Sequence, residues 1–478
     1  MGELDFTTFH NVINGKLTST AETRHNINPA TGEPNAEVPV STAADVDAAM
    51  DAAQAAFKTW SKTPWAVRQK ALNNYADAVD KYRDQFAQLL TREQGKPLPA
   101  ATGELMAAPA TIRTIAALEL LPEFVEDTEE QQIVSRYTPL GVVVGIVPWN
   151  FPVALAMNKL APAVLTGNTV ILKPSPFTPY CGLKLVELAQ QFFPPGVVQV
   201  LSGSDSLGPL LTAHPVPAKI SFTGSTATGK RVMESASKTL KRVTLELGGN
   251  DPAIICGDVD VDVVAPKVAG AAFANSGQVC IAVKRIFVHE SIYDKFRDAM
   301  VKAVKGYNFG NGCEAGVSHG PVQNAMQFER VKGFFADIEK EKWNVATGGA
   351  ADVKPAGYFV EPTIIDNPPR DSRIVTEEPF GPIVPLVSWK DEEEVIREAN
   401  NTDMGLGASV WSKDIFRATQ IGAQLEAGSV WINAHLALDR RAPFGGHKQS
   451  GIGYEGGLGG LKSYCNAQAM YIKKKALL

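Results

Sequence analysis

Val142-Val143-Val144-Gly145-Ile146-Val147-Pro148-Trp149-Asn150-Phe151-Pro152 is the stretch on which the fold turns. Its first half is a short, β-branched, apolar run, the pattern of a strand covered on both faces. Two prolines then bracket Asn150 and stiffen the turn, since each fixes φ and removes an amide donor. Residues 153–165 have helical spacing, and the helix stops at Gly167-Asn168. The same alternation continues outward. Strands are expected at 169–172, 197–201, 218–222 and 243–247, with helices at 179–193, 206–213 and 226–238. Short apolar strands joined by helices predict a doubly wound α/β fold with a parallel sheet. Ligands of such sheets sit beyond the carboxyl ends of the strands.

Gly248-Gly249 breaks this series, and a second α/β series follows. Its strands are expected at 253–256, 285–289, 383–389, 408–411 and 429–432, its helices at 261–274, 293–305, 325–341 and 392–400. Upstream, 43–60 and 67–94 read as amphipathic helices, the first capped by Ser41 or Thr42. Segments 133–138 and 467–473 belong to neither series and read as edge strands needing a partner.

A chain of 478 residues has room for two to four domains with sizeable cores. Its 45% hydrophobic and 20% charged content and net charge of −5 are those of an ordinary globular protein. They give no reason to expect nucleic acid or membrane as a partner. The 140–172 stretch is interrupted by Pro148, Asn150, Pro152, Asn158 and Lys159, so it reads as buried strand, turn and helix rather than a membrane span. Met1-Gly2 opens like an acylation signal, but Phe6 stands where that signal needs Ser or Thr. Five cysteines, with no paired spacing, argue for a reducing compartment and against a disulfide framework or structural zinc. The expected location is the cytoplasm.

Four motifs carry chemistry: Pro148-Trp149-Asn150-Phe151-Pro152, Glu246-Leu247-Gly248-Gly249, Gly277-Gln278-Val279-Cys280 and Glu378-Pro379-Phe380-Gly381-Pro382. A thiol, a carboxylate able to take a proton, and an amide able to hold an oxyanion form a kit for covalent catalysis. Each residue alone has a plainer reading: Cys280 as core, Glu246 as the ion-pair partner of Arg242 or another cation, Asn150 as a turn former. Together, and from about Asn28-Pro29-Ala30-Thr31-Gly32 to Pro443-Phe444-Gly445-Gly446, the chain resembles the NAD(P)-dependent aldehyde dehydrogenase superfamily.

The resemblance implies a Rossmann-like NAD(P)-binding domain (1–118 and 140–248), a second α/β catalytic domain (249–456), and a small β oligomerisation domain (119–139 and 457–478) in a homodimer or homotetramer. It implies Cys280 as nucleophile, Glu246 as general base and Asn150 with the Cys280 backbone N–H as oxyanion hole, Lys173 being grouped with these catalytic residues. NAD or NADP would meet Trp149, Lys173, Ser175, Pro176, Gly224, Ser225, Gly229, Leu247, Glu378 and Phe380. In place of a GxGxxG motif, Phe222-Thr223-Gly224-Ser225-Thr226 joins a strand to a helix whose N-terminus can face a pyrophosphate. No metal is implied. Lys159 and Glu455 match a pair that carries protons from the base. The aldehyde tunnel would be lined by Phe151, Leu155, Asn158, Val279, Ile281, Leu436, Leu438 and Phe444, a mostly apolar set with no cation, which disfavours semialdehydes bearing a carboxylate and suits aliphatic or aromatic aldehydes. The rivals are a catalytically silent binding or structural protein on the same fold, disfavoured by the presence of Cys280 and Glu246, and a CoA-acylating semialdehyde dehydrogenase, disfavoured by Glu246.

Two positions depart from the family pattern. Gly453-Tyr454-Glu455 lacks an arginine common at its centre, which bears on subunit contacts. Pro176 stands where many NAD-preferring relatives carry a glutamate that accepts the adenosine 2′-hydroxyl and repels a 2′-phosphate. The lost hydrogen bond is worth about 1.5–3 kcal/mol, on the order of 10- to 150-fold in affinity. Wild type is therefore expected to use NAD and NADP with efficiencies within about two decades of each other. Pro176→Glu is expected to raise the Michaelis constant for NADP. Measuring both constants in both proteins checks this, and an unchanged NADP/NAD ratio would refute it.

Overall fold

Strand Val142–Ile146 is buried at all five positions, and Pro152 opens helix Pro152–Leu165, itself buried along its length. Proline suits that first turn because its missing N–H would have no intrahelical acceptor. The computed structural model describes residues 3–354 and 356–475; Met1, Gly2 and the ends of the outermost expected domain segments lie outside them. Alternation along the strand divides its side chains between two cores: Val143 packs with the helix side, Val142, Val144 and Ile146 with the opposite face.

Five parallel strands run in the order Val198–Val200, Thr169–Lys173, Val142–Ile146, Lys219–Thr223, Arg242–Glu246. The chain winds outward from Val142–Ile146 to Val198–Val200, then crosses back to lay Lys219–Thr223 on the other side. That reversal opens a crevice at the carboxyl ends of the central strands. The edges are closed by antiparallel strands, Asn11–Ile13 beside Val198–Val200 and Gly451–Ile452 beside Arg242–Glu246. The second of these brings Glu455 to the first sheet from far along the chain.

The second sheet has the order Asn344–Thr347, Thr363–Asp366, Ile383–Trp389, Arg285–His289, Pro252–Ile255, Gly407–Trp411, Ser429–Ile432, parallel except for its first strand. The two segments read as edge strands pair with each other, Cys465–Lys473 along the whole of Gln131–Pro139, with Glu123–Asp127 on the far side.

Two helical expectations need correction. Thr42 caps the first helix, Ala43–Trp60, as read, but the expected 67–94 helix is two, Trp65–Lys81 and Arg83–Gln94. Tyr82 leaves helical geometry between them and turns its ring onto Phe6. Helix Leu98–Ala116 was not anticipated, since Pro99 and Pro109 argue against one; Pro99 falls in the first turn, where it is harmless.

That unexpected helix positions the Asn150 turn. Glu104 is fully buried, and its Oε1 accepts from the backbone N–H groups of Val153 and Ala154 (2.9 and 3.0 Å), capping helix Pro152–Leu165. Its Oε2 holds Lys96 Nζ at 2.5 Å; Lys96 in turn donates to the Asn150 carbonyl (2.9 Å) and sits 3.8 Å from the Phe151 ring centre. Glu104→Gln would leave the Lys96 ammonium buried without its counter-charge. The expected cost is about 3–5 kcal/mol, the scale of a broken buried pair. A lowered denaturant midpoint checks it, and a midpoint equal to wild type would show that the turn is held by other contacts.

Candidate active site

The crevice forms a cleft of about 980 Å³ between the strand ends of the first sheet and the segments carrying Cys280 and Glu378. Trp149, Lys173, Ser175, Pro176, Gly224, Ser225, Leu247, Glu378 and Phe380 all line it, as do Asn150, Glu246 and Cys280. Gly229 lies behind this wall: a Cβ there would stand 2.5 Å from the Leu247 side chain, so glycine lets the helix pack on the strand end. At Gly224 a Cβ would meet the Phe222 ring at 2.6 Å. Ser225 caps helix Thr226–Ser237 by accepting from the Thr228 N–H, so the helix N-terminus opens on the cleft. Trp149 and Phe380 meet edge to face at 5.3 Å and wall one side.

Lys173 closes strand Thr169–Lys173; burial pulls its ammonium down to about 8, opposed by the charge of Asp205. Its neighbours are Asp205, Arg24 and the Pro174 carbonyl, which sets it on the Ser175–Pro176 side of the cleft. Arg231 and Lys238 line the same cleft. A helix N-terminus, glycine at the strand–helix turn and three basic side chains fit an anionic dinucleotide.

Helix Val261–Phe273 ends in a tight turn in which Asn275, Ser276 and Gly277 all take positive φ (48°, 56° and 74°). A Cβ at Gly277 would collide with the Gly381 carbonyl, so this turn packs directly on the Glu378–Pro382 motif. Three residues later Cys280 emerges. Burial pushes its thiol well above the usual range, the Glu246 charge adds to this, and the Lys284 ammonium opposes it.

Glu246 ends strand Arg242–Glu246, is 1% exposed, and has no hydrogen-bond partner within normal length for either carboxylate oxygen among the described residues. The alternative ion pair with Arg242 is not formed among them. Burial first, then the Glu455 charge, pushes Glu246 up to about 7, while the nearby Cys280 thiol and Lys159 pull it back. A carboxylate poised there exchanges protons near neutral pH. Asn150 donates through Nδ2 to the Gln278 carbonyl at 3.1 Å. A carbonyl can only accept, so the bond fixes which end of the amide is NH2 and leaves its second N–H free to face the cleft.

Of the expected tunnel, Val279, Ile281 and Phe444 form one apolar cluster against which Phe151, Leu436 and Cys280 pack. Leu155 belongs to the core of the first sheet, Leu438 is exposed, and Asn158 Nδ2 points to Glu455 at 3.4 Å. Lys159 and Glu455, whose residue types are usually solvent-facing, are instead a buried pair at 2.7 Å, with Lys159 also donating to Thr223 Oγ1. Sequence reasoning missed Lys284 and Arg440. Lys284 is buried beneath the Cys280 loop. Arg440 is half-buried with Glu455, Cys280 and Glu246 as its charged neighbours, so the site is not free of cations. Both fall outside the four motifs, and loop charges carry no periodic signal. Among the described residues no three His, Cys, Asp or Glu side chains are grouped to hold a metal ion.

A thiol, a poised carboxylate and an amide thus line an α/β cleft that fits a dinucleotide, the arrangement of an oxidoreductase. The sequence profile of the aldehyde dehydrogenase family matches residues 17–470, and the chain belongs to that family. It is similar to aldehyde dehydrogenase LUC3 of a Fusarium species (44% identical, covering 98% of this chain and 100% of that protein). It is also similar to the NADP-dependent succinate-semialdehyde dehydrogenase GabD of Escherichia coli (37% identical, 93% of each chain). The solved structure of an aldehyde dehydrogenase from Bacillus cereus in complex with NAD+ superposes with a TM-score of 0.95 at 36% identity, covering 98% of this chain and 97% of that one. The protein is thus an NAD(P)-dependent enzyme acting on aldehydes.

Proposed function

We propose that the protein oxidises an aliphatic or aromatic aldehyde to the carboxylic acid through a covalent adduct on Cys280. The observation that supports this most is the convergence of the Cys280 thiol, the unpaired Glu246 carboxylate and the free N–H of Asn150 at the floor of one cleft. The Cys280 sulfur attacks the carbonyl carbon, and its proton leaves by way of Glu246. The aldehyde oxygen becomes an oxyanion held by Asn150 Nδ2 and the Cys280 N–H. NAD+ or NADP+ bound in the cleft would accept a hydride, and loss of that hydride from the tetrahedral carbon leaves a thioester on Cys280. Glu246 then takes a proton from water, the hydroxide adds to the thioester carbon, and the C–S bond breaks to release the acid.

Lys173 is read as a cofactor anchor on the Pro176 side, with Trp149, Ser175, Gly224, Ser225, Leu247, Glu378 and Phe380 completing the set and Gly229 acting through packing. The buried Lys159–Glu455 pair borders Glu246 and suits passage of protons away from it. Unpaired thiols support a cytoplasmic location: all five cysteines are free. Among the described residues no helix is long and apolar enough to cross a membrane. The outer strand Cys465–Lys473 exposes Tyr471 and Ile472 and supports assembly of a homodimer or homotetramer through the three-stranded sheet. The three-domain division given above rests on the separate cores of the two larger sheets.

A second reading of the substrate rests on Arg440. A half-buried cation close enough to interact with the charges of Cys280 and Glu246 suits an aldehyde that also carries an acid group. The two are separated by a panel of uncharged and acid-bearing aldehydes assayed with wild type and Arg440→Ala. Loss confined to the acids selects the second reading; the same ratio of acid to uncharged rates in both proteins selects the first.

Cys280→Ala is expected to abolish turnover while leaving cofactor affinity near wild type; turnover above about a thousandth of wild type would remove the nucleophile assignment. Glu246→Gln is expected to slow deacylation by roughly 10²- to 10⁴-fold and to keep a burst of reduced cofactor, whose absence would count against the base role. Because Glu246 must be ionised to act, the wild-type deacylation rate should fall as pH drops through about 7. The glutamine variant should lose that limb of the profile.

A further inference from the structure

We propose that Lys284 is a positioning residue for the nucleophile: it fixes the Val279–Cys280 peptide so that the Cys280 N–H faces the oxyanion, and its charge favours the thiolate. The proposal deepens the reading above, since it takes Cys280 as the nucleophile.

Lys284 Nζ donates to the carbonyls of Val279 (2.9 Å), Cys280 (2.5 Å) and Ala282 (3.3 Å), and lies 3.3 Å from Glu378 Oε1. The ammonium is buried, and no water is needed to account for its donors. The Val279 carbonyl and the Cys280 N–H belong to one trans peptide unit, so they point in opposite directions. An ammonium gripping the carbonyl from below therefore aims the N–H away from itself and polarises it. The Ala282 N–H adds a second donor to the same carbonyl at 3.0 Å. Without these contacts the peptide between two apolar side chains has nothing to choose its orientation.

The charge argument uses the same geometry. Around the Cys280 thiol stand Glu246 from strand Arg242–Glu246, Asp251 just ahead of strand Pro252–Ile255, Arg440 from the loop before Phe444, and Lys284. Burial pushes the Asp251 carboxyl up to about 8, and its charge, like that of Glu246, acts against a thiolate at Cys280. Glu246 disfavours a thiolate, and Lys284 is the buried cation that opposes it. Glu378 shares Lys284 with the Cys280 loop, so one side chain ties the thiol to a residue of the cofactor wall.

The test is the pH dependence of Cys280 alkylation by iodoacetamide, read on the Cys280 peptide by mass spectrometry without aldehyde or cofactor. Lys284→Gln keeps a donor for the carbonyls but loses the charge; Lys284→Arg keeps the charge. The glutamine variant is expected to shift the alkylation midpoint up by about one pH unit, with alkylation near neutrality about tenfold slower. The arginine variant should keep the wild-type midpoint. A Lys284→Gln midpoint equal to wild type would overturn the proposal, and so would a Lys284→Arg midpoint that rises, which can be read even if the glutamine variant does not fold. A merely structural lysine would lower turnover without moving the midpoint. Failure of the nucleophile reading is seen separately, as turnover by Cys280→Ala, because alkylation does not depend on turnover.

Discussion

The parallel ladder of the first sheet is the constraint from which the site follows. Ile146 is level with Lys173 on one side and with Phe222 on the other, and Thr223 is level with Glu246. Parallel hydrogen bonding permits only this arrangement, in which every strand delivers its last residue to the same edge. The Asn150 turn, Lys173, the Gly224–Ser225 turn and Glu246 are thus brought together by backbone register before any side chain interacts. The second sheet then needs to present only one loop, the Cys280 turn, across the opening.

Charge burial explains why that loop stays in place. Lys96–Glu104, Lys159–Glu455 and Lys284–Glu378 are three buried pairs around the cleft, each with further hydrogen bonds to backbone or hydroxyl groups. Pairing is what makes such charges tolerable away from water. Glu246 is not paired in this way, with neither oxygen bonded to a partner among the described residues, and the buried Asp251 shares that condition. The raised pKa of Glu246 is the direct result, since burial penalises the ionised form. Carboxylates left unpaired beside the Cys280 thiol, among neighbours that are paired, are the electrostatic mark of a functional site.

Much of this was legible beforehand. Strands at Val142–Ile146, Lys219–Thr223 and Arg285–His289 follow from β-branched runs, and Thr42 follows from capping chemistry. The four motifs place Asn150, Glu246, Cys280 and Glu378 because each sits at a strand end or beside a glycine, where local rules are strongest. Helix Leu98–Ala116 was hidden because its prolines oppose helix locally, and packing against helix Pro152–Leu165 overrides them. The break at Tyr82 was equally invisible, being set by where an aromatic ring can be buried.

The sequence by itself determined the alternation of strand and helix, the rigid turns, and the chemical identity of the thiol, amide and carboxylate, since these depend on periodicity, proline and glycine. Tertiary structure alone decided the partners. It placed Glu455 against Lys159, Lys96 beneath Asn150 and Lys284 beneath Cys280, brought the Arg440 charge within range of the thiol, and left Leu438 exposed. Burial, proton affinity and the direction of an N–H depend on groups brought together from distant parts of the chain, and no local pattern encodes that distance.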